Sequence, residues 1–347
     1  MLVKKGLEKM ALTINTNVSS LIAQRNLNNA TTKLNSAIER MTTGYKINHA
    51  SDNAAGYSIS DMWVTQLGSL DVAADNAATG ADLLTTAEET YSLLTSHLQR
   101  VRDLTEQAAN GTYGSQSLKA IQSEIHARLQ EVNRISANSE FNGIKLMAYD
   151  MNNADNNKEV GMTARGLDLQ VGLYANEYSR INLKVDLFAN ASISGLFKGM
   201  TKKSESGKTL ADIVTAAGGS IDKLGDDKNL QAFAAACSGL VYSETDGLTL
   251  QTGADFGAKE MLAFVDAAIN EISDRVTNIG AAQNRVQSAI SALDVQSQNL
   301  TSSLSTLRDT DVASESSNYI QAQILQQASA TLLATANQAP SLALNLI

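Results

Sequence analysis

The clearest pattern along this chain is an apolar heptad repeat in its C-terminal third. Between Val265 and Leu307, apolar side chains recur at alternating spacings of four and three, and the polar residues Gln283 and Ser297 interrupt the series. This spacing places the side chains on one face of a helix and is typical of a coiled-coil seam. It predicts a helix over residues 258–308, about 75 Å long at 1.5 Å per residue. The predicted seam residues of this helix are Val265, Ile269, Ile272, Val276, Ile279, Val286, Ile290, Leu293, Leu300 and Leu304.

The N-terminal part carries matching stripes that predict two partners for this helix. One helix is predicted over 60–110, where an Asn-Gly pair is a common helix end, and another over 115–137. A large aliphatic side chain left in water would cost about 1.5–3 kcal/mol. We therefore expect the three helices to close into an antiparallel bundle. The seam residues on the first of them are Leu84, Tyr91, Leu94, Leu98 and Val101.

The two ends of the chain carry thinner apolar stripes. Residues 11–43 and 312–347 contain few large apolar side chains among many Asn, Gln, Ser and Thr residues. Helices with such marginal seams order when another subunit covers them, so we expect these ends to fold on assembly. The N-terminal stripe predicts a helix that ends at Gly44 and contains Leu27, Leu34, Ile38 and Met41. The residues expected to mediate polymerisation are Ile14, Val18, Leu21, Leu27, Ile324, Leu325, Leu332 and Leu333.

The middle of the chain has a different pattern. Apolar and polar residues alternate over 167–171 and 181–187, which predicts two strands that pair as a hairpin. Short helices are predicted over 209–217 and 229–237, with glycines at their ends. The predicted fold class is therefore mainly α: a long antiparallel bundle or coiled coil of the N- and C-terminal segments, with a small α+β insert that contains a β-hairpin.

Composition and charge exclude several classes of function. A net charge of −9 argues against nucleic acid as the main partner, and a single cysteine, Cys237, excludes an intrachain disulfide. No apolar run is long enough for a membrane span, and the N-terminus lacks the apolar region of a usual secretion signal. The three histidines form no metal-binding pair, and no nucleophile or phosphate-loop motif is complete. We therefore expect no enzymatic activity, no metal and no cofactor.

Several strings at the two ends resemble the bacterial flagellins. At the N-terminal end they are MALTINTN at 10–17, LNSAIERMTTGYKIN at 34–48 and SDNAAGY at 51–57. At the other end they are GAAQNR at 280–285, AQILQQ at 322–327 and ANQAP at 336–340. The resemblance covers about residues 10–149 and 260–347 and leaves the middle out. Because it begins at Met10, we interpret Met1–Lys9 as an extension outside the family pattern, either an upstream start or a real basic segment.

The resemblance implies a structural protein that polymerises into the extracellular filament that a bacterium rotates to swim. It implies secretion through the flagellar type III export apparatus, with a flagellin chaperone, hook-associated proteins and cap proteins as further partners. It also implies inner-core helices from 11–50 and 309–347, an outer core from 51–195 and 256–308, and a variable surface insert over 196–255. The alternatives are a hook–filament junction protein, a secreted effector that uses flagellin-like ends for export, and a coiled-coil scaffold.

One further string resembles the flagellin segment that Toll-like receptor 5 binds, namely LQRVRDL at 98–104. The resemblance implies receptor contacts at Gln99, Arg100 and Leu104, and at Glu124 on the neighbouring helix. The alternative interpretation is a solvated polar face that packs against other subunits. Both can hold, because a surface buried in a filament is exposed in the free subunit.

Overall fold

A computed structural model of the chain describes residues 17–147, 167–174, 176–183, 185–198, 209–217, 219–220, 224, 226–243, 247–250 and 258–344. The chain divides into two compact units. The terminal unit comprises Met1–Gly68 and Gln296–Ile347, and the core unit comprises Ser69–Val295. Ile14 and the first nine residues lie outside the described residues. None of the described helices is both long enough and apolar enough to cross a membrane.

Helices dominate the described residues. In chain order they are α1 (Val18–Thr43), α2 (Ala54–Ala109), α3 (Ser115–Asn138), α4 (Ile193–Lys198), α5 (Leu210–Ala216), α6 (Asp227–Cys237), α7 (Ala258–Arg308) and α8 (Val312–Leu344). In the described part of the chain, the strands form three antiparallel pairs: β1 (Glu140–Phe141) with β2 (Ile144–Lys145), β3 (Leu167–Gln170) with β4 (Arg180–Leu183), and β5 (Leu240–Ser243) with β6 (Gly247–Leu250). Two short 3₁₀ turns cover Glu177–Ser179 and Val185–Phe188.

The bounds of α7 and the ends of α1 and α2 agree with the prediction, but α2 begins at Ala54, six residues before its predicted start. Helix α7 has the predicted bounds, and α2 ends directly before the Asn-Gly pair at residue 110. Helix α1 begins after Asn17, whose side chain accepts a hydrogen bond from the backbone N–H of Ser20. It ends at Gly44, whose left-handed conformation (φ 77°) lets its N–H donate to the Arg40 carbonyl.

The hairpin in the middle of the chain is confirmed, but its second strand is shorter than predicted. Leu167 pairs with Leu183 and Leu169 with Ile181, and then Val185–Phe188 form a 3₁₀ turn instead of continuing the strand. Leu187 and Phe188 are both buried. Consecutive side chains in the core are incompatible with a strand, whose neighbouring side chains point to opposite faces.

The core unit has one large apolar cluster. Its members come from α2, α3 and α7, as the seam pattern predicts, and also from the short helices of the middle segment. Phe197 of α4 packs edge-on against Phe233 of α6, with ring centroids 4.8 Å apart. The predicted short helices are confirmed as α5 and α6, and Thr209 and Asp212 form a capping box at the start of α5. The middle segment therefore contributes directly to the core.

The terminal unit is built on an antiparallel pair, α1 with α8. The two helices are antiparallel, because the start of α1 is hydrogen-bonded near the end of α8 and the middles of the two helices are hydrogen-bonded to each other. The side-chain amide of Asn17 donates to the Ala336 carbonyl (2.6 Å), and that of Gln326 donates to the Thr31 hydroxyl (3.1 Å). The predicted pairing of the N- and C-terminal segments is thus confirmed.

Candidate assembly and recognition surfaces

The seam between α1 and α8 is made of small residues. On α1 the buried residues are Ala23, Ala30 and Ala37, spaced by seven. On α8 the side chains of Glu315, Ala322 and Ser329 are buried at the same spacing, and only Glu315 is large. Alanine contributes little apolar area, so this seam brings two backbones close together but supplies little hydrophobic stabilisation.

Most of the large apolar side chains on α1 and α8 are exposed and lie outside this seam. Leu332 is 62% exposed, and most residues expected to mediate polymerisation are similarly open. The exposed members are Val18, Leu21, Ile324, Leu325 and Leu332, and the half-buried ones are Leu27 and Leu333. Ile22, Val312 and Ile320 are exposed as well and were not among the predicted residues. The terminal unit thus carries apolar area that its own fold leaves uncovered.

The stripe predicted inside α1 is partly wrong. Ile38 and Met41 are 45% and 37% exposed, whereas Ala30 and Ala37 on another face of the same helix are buried. The physical reason lies on α8, where two of the three buried residues at the same spacing, Ala322 and Ser329, are also small. Two helices lined by small residues can approach closely, and the bulkier stripe is then left outside the contact.

A shallow groove lies among the exposed side chains of α8. It has a volume of about 380 Å³ and is lined by Ser317, Ile320, Gln321, Ile324 and Leu325. Its walls combine three aliphatic side chains with two polar ones that can donate or accept hydrogen bonds. A groove with this lining is suited to the surface of another helix that carries both aliphatic and polar side chains.

The ends of α1 and α7 meet in a polar clamp, formed by Tyr45, Lys46, Arg308 and Asp309. Tyr45 and Asp309 form an antiparallel bridge, and the backbone N–H of Lys46 donates to the Arg308 carbonyl at 2.7 Å. The Lys46 ammonium donates to the Thr306 carbonyl at 2.7 Å. The guanidinium of Arg308 lies 4.0 Å from the centre of the Tyr45 ring, a cation–π contact. The clamp therefore fixes the start of the α1–α8 pair without relying on the alanine seam.

Except for Leu293, which is buried outside it, the predicted seam residues of the core unit belong to the large apolar cluster or pack against it. The buried ones are Leu84, Tyr91, Leu94, Leu98, Val101, Val265, Ile272, Ile279, Val286 and Leu293, and the half-buried ones are Ile269, Val276 and Ile290. Leu300 and Leu304 belong to the terminal unit and are half-buried. The polar seam residue Gln283 donates to the carboxylate of Glu88 at 2.8 Å, which links α7 to α2.

Arg275 is a buried cation that the heptad pattern did not single out. Its guanidinium donates to the carbonyls of Ala189 and Asn190 at 3.1 and 3.2 Å, and its Nε lies 3.2 Å from the Glu271 carboxylate. The Tyr91 hydroxyl donates to the Leu187 carbonyl at 3.1 Å, and burial raises the pKa of Tyr91. Together these groups satisfy the carbonyls of a loop that turns inside the core, where an unpaired carbonyl would be costly.

A polar face on α2 and α3 contains three of the four predicted receptor contacts. Gln99 and Arg100 are exposed, and the Arg100 Nε lies 2.9 Å from Oε1 of Glu124. The hydrogen bond from Arg100 holds the pKa of the Glu124 carboxyl below its usual value of 4.5. Leu104 does not belong to this face, because its side chain is 2% exposed and lies inside the cluster. Leu104 can therefore affect this polar face only indirectly, by holding α2 in place through its packing in the core.

The described residues offer neither an acidified thiol nor a cluster of three metal-ligating side chains. Cys237 is fully buried at the end of α6, and burial raises the pKa of its thiol to about 12, so almost no thiolate exists at neutral pH. Among the described residues, no three His, Cys, Asp or Glu side chains stand close enough to share a metal ion.

Comparisons with known proteins agree with this arrangement. Residues 14–151 match the bacterial flagellin N-terminal helical region, and residues 262–347 match the bacterial flagellin C-terminal helical region. The chain is 34% identical to Flagellin B of Vibrio cholerae serotype O1 over 377 aligned positions, which cover 97% of this chain and 100% of that protein. It is 35% identical to Polar flagellin F of Vibrio parahaemolyticus serotype O3:K6 over 391 positions, with the same coverage of 97% and 100%.

A solved structure of FliC from Burkholderia pseudomallei aligns with 66% of this chain and 98% of its own, at 17% identity and a TM-score of 0.27. The sequence matches, by contrast, span both helical ends and nearly the whole length of the chain. On those matches, the chain belongs to the bacterial flagellins, the family of structural subunits that build the flagellar filament.

Proposed function

We propose that this filament subunit polymerises through the outward faces of α1 and α8, which become ordered when neighbouring copies cover them. The observation that carries the proposal is the inversion in the terminal unit, where small residues are buried and large aliphatic residues are exposed. Covering a Leu or Ile side chain gains about 1.5–3 kcal/mol. Each copy exposes several such side chains. The hydrophobic free energy of covering them can be gained only when neighbouring copies pack against α1 and α8.

A matched pair of double variants tests this proposal. Ile324→Ser with Leu332→Ser removes two exposed aliphatic side chains from α8, and Gln327→Ser with Ala328→Ser changes two exposed residues of the same helix. We expect the first variant to keep the helix content and melting temperature of the core unit but to lose filament formation, seen by light scattering and electron microscopy. The second should polymerise like the parent. Normal filaments from the first variant would refute the proposal.

The same proposal predicts how the free subunit responds to a protease. An alanine seam stabilises α1 and α8 weakly, so both should open more often than the helices of the core unit. Limited digestion of the free chain should therefore remove residues near both termini first, and assembly into filaments should protect them. Equal resistance of the ends and the core in the free chain would contradict folding on assembly.

We further propose the division into inner-core helices at 11–50 and 309–347, an outer core at 51–195 and 256–308, and a variable segment at 196–255. Support comes from the separate terminal and core units, although their boundaries lie further in, at Gly68 and Gln296. Secretion by the flagellar type III apparatus, and binding to a chaperone and to hook-associated and cap proteins, are proposed from family membership. Membership in a structural family and the suppressed thiolate of Cys237 support the absence of catalysis.

The polar face of α2 and α3 is proposed as a contact for Toll-like receptor 5 on the free subunit. Support comes from the exposed Gln99 and from the Arg100–Glu124 pair, which holds a cation and an anion in fixed positions on neighbouring helices. Such a pre-ordered charge pair can be recognised with little loss of side-chain entropy. Leu104 would act only through packing beneath the face.

Arg100→Ala and Arg134→Ala form a matched test of this contact. Both arginines are exposed and pair with a glutamate, at Glu124 and Glu131 respectively, so truncation should perturb stability equally little. We expect Arg100→Ala to lower receptor activation in reporter cells and Arg134→Ala to leave it unchanged. Equal activation by both variants would leave subunit packing as the role of the face.

A further inference from the structure

We propose that Asn110 is a site of spontaneous deamidation, in which the main-chain nitrogen of Gly111 displaces the side-chain amide of Asn110. The product carries aspartate or isoaspartate at residue 110. The site lies in the exposed loop between α2 and α3, and the inference is independent of how the filament assembles.

The attacking group is the backbone N–H of Gly111. Among the described residues, no hydrogen bond from this N–H is formed, whereas the neighbouring amides of Asn110 and Tyr113 donate to the carbonyls of Gln107 and Asn110. Gly111 has no neighbouring atoms where a side chain would begin. Its nitrogen is therefore neither engaged by a hydrogen bond nor shielded by a side chain.

The group under attack is the side-chain amide carbon of Asn110. The backbone N–H of Thr112 donates to Oδ1 of Asn110 at 3.3 Å, which folds the side chain back over the Gly111 amide. The same hydrogen bond draws electron density from the amide carbon. It also stabilises the negative oxygen that develops when the nitrogen adds, as an oxyanion-hole donor does.

The reaction needs no partner except water. A bond forms between the Gly111 nitrogen and Cγ of Asn110, the Cγ–Nδ2 bond breaks, and ammonia leaves with the proton that the Gly111 nitrogen gives up. Water then opens the five-membered imide at either carbonyl. One route gives aspartate, and the other gives isoaspartate with one more carbon in the main chain.

A second Asn-Gly pair, at Asn142, shows why conformation and not exposure selects the site. Asn142 and Gly143 are both exposed, but both have positive φ (50° and 75°), as in the tight turn between β1 and β2. Flanking pairs hold this turn, including an ion pair of 2.8 Å between Lys145 and Glu140. Closing an imide ring would force the turn out of this conformation and break the pairs around it.

Deamidation adds a negative charge at the end of α2. The last turn of a helix carries exposed carbonyls and a partial negative charge, so a carboxylate there is unfavourable. The extra carbon of isoaspartate also lengthens the short connection between Ala109 and Ser115. Modified chains should consequently separate from unmodified ones by charge.

The test is to incubate the full-length folded chain at mildly alkaline pH and to follow both Asn-Gly peptides by mass spectrometry, each conversion adding about one dalton. We expect conversion about tenfold faster at Asn110 than at Asn142, a difference of ~1.4 kcal/mol in barrier. Gly111→Ala is the control variant, because residue 111 has neither a positive φ nor a close neighbour. It should keep the melting temperature, slow Asn110 and leave Asn142 unchanged.

Three results would overturn the proposal. The first is no mass increase at Asn110, and the second is equal or faster conversion at Asn142. The third is an Asn110 rate that Gly111→Ala does not alter, since that would exclude the Gly111 nitrogen as the attacking atom. Denatured chain supplies the reference, because the two pairs should react at similar rates once the turn between β1 and β2 has unfolded.

Discussion

The terminal unit and the core unit both pack long helices, yet they bury opposite kinds of residue. In the core unit, α2 and α7 meet through Leu84, Leu94, Val265 and Ile272, all fully buried. In the terminal unit, the buried residues of α1 and α8 are mainly alanine and serine, while most of their large aliphatic side chains are exposed. Helical periodicity is present in both, so periodicity alone does not tell which helices are stable by themselves. The size of the side chains that are buried between two helices indicates which pair is stable by itself.

This difference separates folding from assembly along one chain. A seam of large side chains gains its hydrophobic free energy within the subunit, whatever surrounds it. A seam of small side chains leaves the larger gain to be made between subunits. The two kinds of helix can therefore be altered separately, and each of the following substitutions affects one side of the comparison.

The largest effect is expected from truncating one leucine in each unit. Leu98→Ala removes a fully buried side chain of the core unit and should destabilise it by about 2–5 kcal/mol, because the cavity adds to the lost burial. Leu332→Ala removes a side chain that is 62% exposed. It should change the unfolding free energy of the subunit by no more than about 0.5 kcal/mol.

Urea unfolding of the two variants, followed by circular dichroism, measures this contrast directly. Polymerisation should show the reverse order, with Leu332→Ala impaired and any folded Leu98→Ala still competent. If both leucines cost the subunit a similar free energy, the distinction between the two seams does not hold.

The next effect concerns two glycines of α2. The side chain of Leu169 from the hairpin lies against Gly80, so the methyl group of Gly80→Ala would overlap it and should cost about 1–3 kcal/mol. Gly68 has no neighbour within 4 Å where a side chain would begin. Gly68→Ala should stabilise α2 by about 0.5–1 kcal/mol, since glycine is a poor helix former. Thermal melts of the two variants should shift in opposite directions.

Much of the helical architecture could be predicted because long helices repeat their pattern many times. The bounds of α7 and the end of α2 follow from spacing and from the Asn-Gly pair. The inward face of α1 could not be predicted in the same way. Two stripes lie on this helix, one of alanines and one of larger residues, and the choice between them depends on how closely α8 approaches.

The loop inside the core also escapes prediction from sequence. Arg275 occupies a helix position beside the heptad seam, where charged side chains are common, yet it is buried and donates to the Ala189 and Asn190 carbonyls. The need of these two buried carbonyls for a hydrogen-bond donor can be recognised only in the folded structure. The 3₁₀ turn after β4 was not predicted either, and there the Leu187 carbonyl accepts a hydrogen bond from the Tyr91 hydroxyl.

A smaller effect should come from the clamp of the terminal unit. Arg308→Ala removes the cation that lies 4.0 Å from the Tyr45 ring, and such contacts contribute about 0.5–1 kcal/mol at exposed sites. Because the alanine seam is weak, the loss should appear as faster amide exchange in α1 and α8. Arg25→Ala, at an exposed position of α1, is the control and should leave exchange unchanged. Equal exchange in both variants would mean that the seam alone holds the pair.

The smallest effect is the pH dependence of the Arg100–Glu124 pair. The hydrogen bond from Arg100 lowers the pKa of Glu124 in the folded chain below its ordinary value of 4.5. A carboxyl with a lowered pKa stabilises the fold above its unfolded pKa, and this contribution disappears as the pH falls through the folded pKa. Both side chains are partly exposed, so water and salt screen the pair and the effect should be slight.

The measurement is the melting temperature of the parent, of Glu124→Gln and of Glu89→Gln from neutral pH down to about pH 3, the range over which carboxyls titrate. The parent and Glu124→Gln should converge as the pH falls, because protonation removes the same charge that the substitution removes. Glu89 is an exposed residue of α2 and has no ion pair among the described residues, so Glu89→Gln should stay parallel to the parent. A constant gap between the parent and Glu124→Gln would show that the charge of Glu124 does not stabilise the core unit.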